Sequence, residues 1–330
     1  MLLMTGNAGF IGKYLTTAMI RAGHEVRGLD IRPRKDVENG FVQIEGNILD
    51  KDIVRQAMVG CDCIIHLAAE HKDFGITRED YFTVNVEGTK VLLNSAAEQN
   101  IKNFIFYSSV AVYGARQPST DTTRPQPNNH YGVSKLQAEE AIQEWVRGDT
   151  SRRVLIIRPT VVYGPGNRAN IFRLVKQVSD GKFIWMGNGS EIKSVAYVEN
   201  IVDATVFISS QMEEGFHIYN YADSPHLTTK EIVHYIAVSA GVKEPKLKIP
   251  WLLGMTAAGT FDVLGKLLGI DFPITSARIR KFNTPTCHKA EKIFALGFRP
   301  RFTIEVGLEK MVKWYIEQRE NLHYLESAEE

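Results

Sequence analysis

Cysteine is scarce in this 330-residue chain. Cys61, Cys63 and Cys287 are too few for a disulfide framework, and Cys61-Asp-Cys63 lacks the two-residue spacer of a metal or redox motif. Buried thiols in a reducing compartment are expected, and no metal site. An excess of one charge is missing as well. Lys and Arg number 39 against 38 Asp and Glu, a formal net charge of +1, so no nucleic acid is expected as a partner. No apolar run is long enough to span a bilayer, and no leader is read at the start, because Met1 to Met4 already has the character of a strand. These absences suggest a cytoplasmic protein that at most lies against the inner face of the membrane. What is present is 44% hydrophobic residues, enough to bury one large or two modest domains. No internal repeat is visible, and only the tail after about Tyr324 reads as frayed.

Through the first half, short apolar runs alternate with amphipathic stretches. Strands are expected at Leu2 to Met4, Val26 to Asp30, Phe41 to Glu45, Cys63 to Leu67, Phe104 to Ser108 and Val154 to Arg158. Helices are expected near Ile11 to Ala22, Asp52 to Met58, Tyr81 to Gln99 and Tyr131 to Trp145. That alternation predicts an α/β fold, a Rossmann-type doubly wound parallel sheet over residues 1–165. Beyond Gly164 the pattern becomes irregular, with helices near Val198 to Ser209 and Thr228 to Ser239. Residues 166–330 therefore read mainly as a smaller C-terminal substrate-binding lobe, with strands from about 195–222 returning to the main sheet.

The first strand runs into Thr5-Gly6-Asn7-Ala8-Gly9-Phe10-Ile11-Gly12, where helical periodicity begins at once. Gly6, Gly9 and Gly12 permit a tight turn and let backbone amides approach a pyrophosphate, while Phe10 and Ile11 open a helix whose positive end favours anions. Spacing is Gly-x-x-Gly-x-x-Gly rather than Gly-x-Gly-x-x-Gly, so the loop alone meets only part of the dinucleotide fingerprint. Asp30 ends the next strand at the distance where a carboxylate accepts from an adenosine ribose diol, with Ile31 and Arg32 beside it. A carboxylate there repels a 2′-phosphate, which favours NAD over NADP, although Arg32 and Arg34 soften the preference.

Tyr131-Gly132-Val133-Ser134-Lys135 sets a phenol and an ammonium one helical turn apart on one face. A fixed Lys charge favours the phenolate, which makes the pair a proton-handling device for hydride chemistry; alone, the spacing is common on ordinary helices. Upstream, the strand Phe104 to Tyr107 delivers Ser108 and Ser109 at its C-terminal end, where open α/β sheets hold ligands. Strand-end capping is the alternative role for either serine.

In order, Thr5 to Gly12, His66-Leu67-Ala68-Ala69, Asn85-Val86-Glu87-Gly88-Thr89, Ser108 to Gly114, Tyr131 to Lys135 and Arg158 to Pro165 resemble the motif set of the extended short-chain dehydrogenase/reductases, the NAD-dependent epimerase/dehydratase family. The resemblance implies a catalytic triad of Ser109, Tyr131 and Lys135, with Ser109 chosen because it lies five residues before Gly114. It also implies that Asn47 and Ile48 sit by the adenine, that Leu67, Ala68, Ala69, Asn85, Ser108, Pro159 and Val161 line the remainder of the NAD site, and that the protein is a homodimer through the helices near 81–99 and 131–145.

Further on, Ala69 to Asp73, Gly166 to Asn170, Gly181 to Phe183, Lys193 to Asn200, Tyr219 to Tyr221 and Ser276 to Phe282 are similar to bacterial 4-epimerases of diphosphate-linked N-acetylglucosamine, lipid-linked or UDP-linked. That similarity implies epimerisation at C4 through a transient 4-keto sugar, in surface polysaccharide biosynthesis. Lys193, Arg168 and Arg278 are then the expected diphosphate anchors, with Asn170 beside them; Lys193 stands where many sugar-nucleotide epimerases carry Arg. Glu70 and His71 are expected to face the sugar, the alternative being a loop pair bonded to its own backbone. An NAD(P)-dependent 4-reductase or 3β-hydroxy dehydrogenase would use the same three catalytic residues. A non-catalytic dinucleotide-binding module would not need them. Finally, 250–270 carries only Asp262 and Lys266 as charges. It reads either as a surface that touches lipid through Trp251, Leu252, Leu253, Phe261 and Leu267, or as a buried hairpin or dimer contact.

Overall fold

The computed structural model describes residues 1–34, 39–72, 75–268 and 275–328. In chain order the elements are β1 (Leu2–Thr5), α1 (Phe10–Arg21), β2 (Val26–Asp30), β3 (Phe41–Glu45), α2 (Lys51–Met58), β4 (Cys63–His66), α3 (Arg78–Phe82), α4 (Gly88–Glu98), β5 (Asn103–Tyr107), α5 (His130–Arg147) and β6 (Arg153–Pro159). They continue with β7 (Val161–Tyr163), α6 (Asn170–Ser179), β8 (Ile192–Lys193), β9 (Val195–Tyr197), α7 (Val198–Ser209), β10 (Gly215–Tyr221), β11 (Leu227–Thr228), α8 (Thr229–Ala240), α9 (Trp251–Leu268), α10 (Ser276–Asn283), α11 (Glu291–Ala295) and α12 (Ile304–Ala328). A single π-helical turn, Thr83–Glu87, joins α3 to α4.

Two compact units result. The first comprises Met1–Thr160, Val198–Ala222 and His288–Arg301, and the second Val161–Tyr197, Asp223–Cys287 and Phe302–Glu330. At the heart of the first unit lies a seven-stranded sheet in the order β10-β6-β5-β4-β1-β2-β3, every neighbouring pair parallel. The central strands β1, β4 and β5 are buried on both faces, which suits a sheet covered by helices on both sides. On one side Leu3, Ile64, Phe104, Phe106 and Ile156 share a core with Leu92 and Leu93 of α4 and with Ala138, Ile142 and Trp145 of α5. Because the chain leaves β1 outward to β2 and β3 and then returns on the other side to β4, the strand order reverses at β1. Ligands of open α/β sheets bind at the carboxyl end of such a switch point, and β1 delivers the glycine loop there.

In the second unit β7 pairs with β9 and β8 pairs with β11, while α6, α8 and α12 pack against one another. The last helix continues to Ala328, so the frayed end expected after Tyr324 is a helix instead. No described helix is long and apolar enough to cross a membrane.

Candidate active site

The glycine loop owes its shape to contacts that only glycine permits. Gly6 has φ +71°, and a Cβ there would lie 2.5 Å from the backbone nitrogen of Ala68; one on Gly12 would lie 2.3 Å from the carbonyl oxygen of Gly6. The loop is thus pressed between the end of β4 and the start of α1. Gly9 caps α1 without a side-chain acceptor, so the first-turn amides of Phe10, Ile11 and Gly12 have no side-chain cap at the positive end of a twelve-residue helix. Asp30 steadies the arrangement: one carboxylate oxygen accepts from the amide of Ala8 at 3.0 Å, the other from that of Arg32 at 3.0 Å. Ionised oxygens keep further lone pairs for hydroxyl donors. Ile31 beside it is 62% exposed.

Other residues assigned to the dinucleotide fall into two groups. Leu67, Ala68 and Ala69 line the end of β4 half-buried, with the amides of Leu67 and Ala68 directed at the carbonyl and hydroxyl of Thr5. Pro159 is buried at the end of β6, and Ser108 Oγ is buried without a hydrogen-bond partner. Such an orphan hydroxyl at a strand end is what a ligand-ready site leaves behind. Ile48, by contrast, is 5% exposed within the core cluster, and the Asn47 side chain accepts from the amide of Leu49. Asn85 is committed internally too. Its amide donates to Glu70 O at 3.0 Å and Ser134 Oγ at 2.9 Å, and its oxygen accepts from the amide of Glu70 at 2.8 Å. Val161 lies in the second unit.

Asn129 caps α5 by accepting from the amide of Gly132, which starts the helix at His130 and sets Tyr131 and Lys135 one turn apart. Tyr131 is half-buried, its ring 6.1 Å from that of Tyr81. Lys135 is 1% exposed; its ammonium donates to Tyr107 O at 2.8 Å and sits 4.5 Å from the centre of the Phe106 ring. Burial pushes Lys135 down to about 7, against a smaller upward pull from Glu139. Glu139 is itself bound through both oxygens by buried Arg158, with Nε to Oε1 at 2.9 Å. Ser109 is half-buried and accepts from the amide of Ala111 at 3.1 Å. That is a capping bond, and it leaves the hydroxyl proton of Ser109 available to a substrate oxygen.

The second unit holds a cavity of about 250 Å³. Its wall is mostly apolar, with Ile171, Leu174, Phe183, Met186, Ile232 and Ile279, and it carries the cations Lys193 and Arg173 together with Asn170. Lys193 donates to Thr284 O at 2.6 Å, and burial pushes its ammonium down to about 8. Arg168 is exposed and does not line this cavity; the side chain of Arg278 lies outside the described residues. Glu70 turns back on its own loop, accepting from the amides of His71 at 2.9 Å and Lys72 at 3.1 Å, and His71 is exposed. Arg173 and Met186 line the cavity as well, although no motif marks them. The strong amphipathic period of Asn170–Ser179 was the available signal for Arg173.

Residues 2–222 match the family described as NAD dependent epimerase/dehydratase family. The chain belongs to that family. It is 37% identical over 314 residues, 94% of either chain, to the N-acetyl-alpha-D-glucosaminyl-diphospho-ditrans,octacis-undecaprenol 4-epimerase of Escherichia coli O157:H7. It is also 26% identical to the UDP-glucose 4-epimerase of Vibrio cholerae, over 96% of this chain and 95% of that one. Among solved structures, MoeE5 in complex with UDP-glucose and NAD shares the fold at a TM-score of 0.76 and 24% identity, covering 96% of this chain and 99% of the other. As a member of this family the protein takes NAD. The glycine cradle, the α1 terminus without a side-chain cap, the Asp30 carboxylate and the orphan Ser108 hydroxyl all fit that cofactor. Among the described residues no cluster of His, Cys, Asp and Glu is arranged to hold a metal.

Proposed function

We propose that this protein is a 4-epimerase of an N-acetylhexosamine carried on a diphosphate, with the lipid-linked sugar as substrate. The observation that carries the reading is the 37% identity to the undecaprenol-linked 4-epimerase along 94% of both chains. NAD, when bound, would supply the hydride acceptor and donor for C4 of the sugar. Tyr131 as phenolate takes the C4 hydroxyl proton and later gives it back. Lys135, one turn away, favours that phenolate in its protonated form, and Ser109 donates its hydroxyl proton to the same oxygen. With proton and hydride both returned, nothing is consumed. The reacting ring must be held in two orientations, so binding energy has to come from the diphosphate and carrier. Lys193 and Arg173 are the cations at hand in the second unit.

Two features of the second unit support a lipid carrier. The cavity wall is largely apolar, and α9 presents Leu252 at 74%, Leu253 at 61% and Val263 at 58% exposure. This helix approaches the cavity wall closely: a Cβ on Gly254 would lie 3.0 Å from the sulfur of Met186. Lys243, Lys246 and Lys248, all exposed, precede it, which suits an anionic bilayer surface. The side chains of Trp251 and Leu267 lie outside the described residues.

The deciding experiment offers purified holoenzyme N-acetylglucosamine on undecaprenyl diphosphate and, separately, on UDP. Formation of the C4 epimer from the lipid-linked sugar without net NADH accumulation is expected. Stoichiometric NADH would instead assign a dehydrogenase, and turnover of the UDP sugar alone would remove the lipid carrier from the reading. The double substitution L252E/L253E is expected to cut co-sedimentation with vesicles of anionic phospholipid at least fivefold while leaving NAD binding intact. Undiminished co-sedimentation would exclude α9 as the contact.

A further inference from the structure

His66 is buried in the first unit, on the strand beside β1 and in register with Thr5. Thr5 Oγ1 lies 2.7 Å from His66 Nδ1, and Thr89 Oγ1 lies 3.1 Å from His66 Nε2. Thr89 has one hydroxyl proton, which it donates to the carbonyl of Asn85 at 2.6 Å. It can therefore only accept from the ring, so Nε2 carries the proton. Nδ1 is then bare and accepts from Thr5, whose oxygen in turn faces the amide of Ala68 at 3.4 Å. Burial and the nearby Lys135 charge both hold His66 well below its ordinary value, which keeps the ring neutral. The direction of every bond in the chain follows from one proton.

Asn85 continues the chain. It sits in the π-helical turn, a local irregularity that recurs at functional sites. Its side chain bridges the backbone of Glu70 to Ser134, and Ser134 donates to the carbonyl of Tyr131 at 2.8 Å. Thr5, His66, Thr89, Asn85 and Ser134 are each no more than 1% exposed, so water cannot replace a lost partner. One end of the chain is the residue from which the glycine loop departs; the other is the helical turn that bears Tyr131.

We infer that His66, as the Nε2–H tautomer, is a positioning residue that couples the dinucleotide loop to the placement of Tyr131. It touches neither cofactor nor sugar in this role. The inference rests on Tyr131 being the proton-transfer group, but its spectroscopic test does not.

The test replaces Thr89 with Val, which keeps shape and removes the hydroxyl, and with Ser, which keeps the hydroxyl. In the holoenzyme T89V is expected to lower kcat at least tenfold with KM changed less than twofold, and T89S to restore kcat to within threefold. Nitrogen NMR of histidine-labelled wild type is expected to show His66 protonated only at Nε2 from pH 5 to 9, and T89V is expected to disturb that signature. Wild-type turnover in T89V, failure of T89S to restore it, or a kcat loss that merely follows loss of folded protein would each overturn the coupling. Should T89V not fold, T89S and the wild-type spectrum decide: an Nδ1–H or doubly protonated His66 ends the proposal. An inactive enzyme with the expected spectrum leaves His66 as assigned, whereas a fully active Y131F variant refutes the catalytic reading alone.

Discussion

Tyr131→Phe is expected to lower kcat by about 10³-fold while NAD content and unfolding midpoint stay near wild type. The magnitude follows from general acid–base catalysis, worth about 10²–10⁴-fold in rate. Phe keeps the half-buried ring and its contact with Tyr81 and deletes the oxygen proposed to exchange a proton with the sugar. Lys135 donates to Tyr107 O at 2.8 Å, so the backbone at the end of β5 holds its ammonium in place. The check is single-turnover kinetics on the lipid-linked substrate with cofactor occupancy read by absorbance. Turnover within threefold of wild type would remove Tyr131 from the mechanism.

Lys135→Met is expected to cost at least 10²-fold in kcat and to alter stability in a way that depends on pH. Folding depresses the ammonium from its ordinary value of about 10.4 to about 7. Between those values the unfolded chain binds a proton that the folded one does not, so this residue makes wild-type stability rise as pH climbs from about 7 towards 10. Below about 7 both states are protonated and the full cost of burying the charge is present. Met fills similar volume without a charge. The variant should therefore gain most over wild type at pH 6, by roughly 3 kcal/mol once the lost bond to Tyr107 is set against the relieved desolvation. That gain should shrink by pH 9. Urea unfolding at both pH values, at equal NAD loading, measures it. A stability difference that is the same at pH 6 and pH 9 would show that Lys135 is not held under this desolvation.

Asp30, Asn85 and Glu70 show why the remaining site assignments divide as they do. Asp30 is legible because it ends a strand a fixed interval after the glycine loop; that its carboxylate also accepts from Ala8 of that loop is visible only in the structure. Asn85 was equally visible as part of a motif, but its role was not. Whether its amide faces a ligand or the protein depends on Ser134, 49 positions away in sequence, and only packing brings the two together. Glu70 behaves the same way: a carboxylate just past a strand end can reach a substrate or its own loop amides, and here it accepts from His71 and Lys72. The second-unit cavity gathers residues from Val161 to Thr286. No short window of sequence contains that surface.

By itself the sequence determined the alternation of strands and helices, the glycine loop with Asp30, and the order of Ser109, Tyr131 and Lys135. These depend on backbone conformation and on spacing within a few residues, which local chemistry specifies. Tertiary structure alone decided which polar groups were left for ligands and which were consumed internally. It buried Lys135 and pulled its proton affinity towards neutrality, fixed the tautomer of His66 through two threonines from other elements, and turned Ile48 into core. Each of those outcomes is set by desolvation and by partners distant in the chain, and neither exists until the chain has packed.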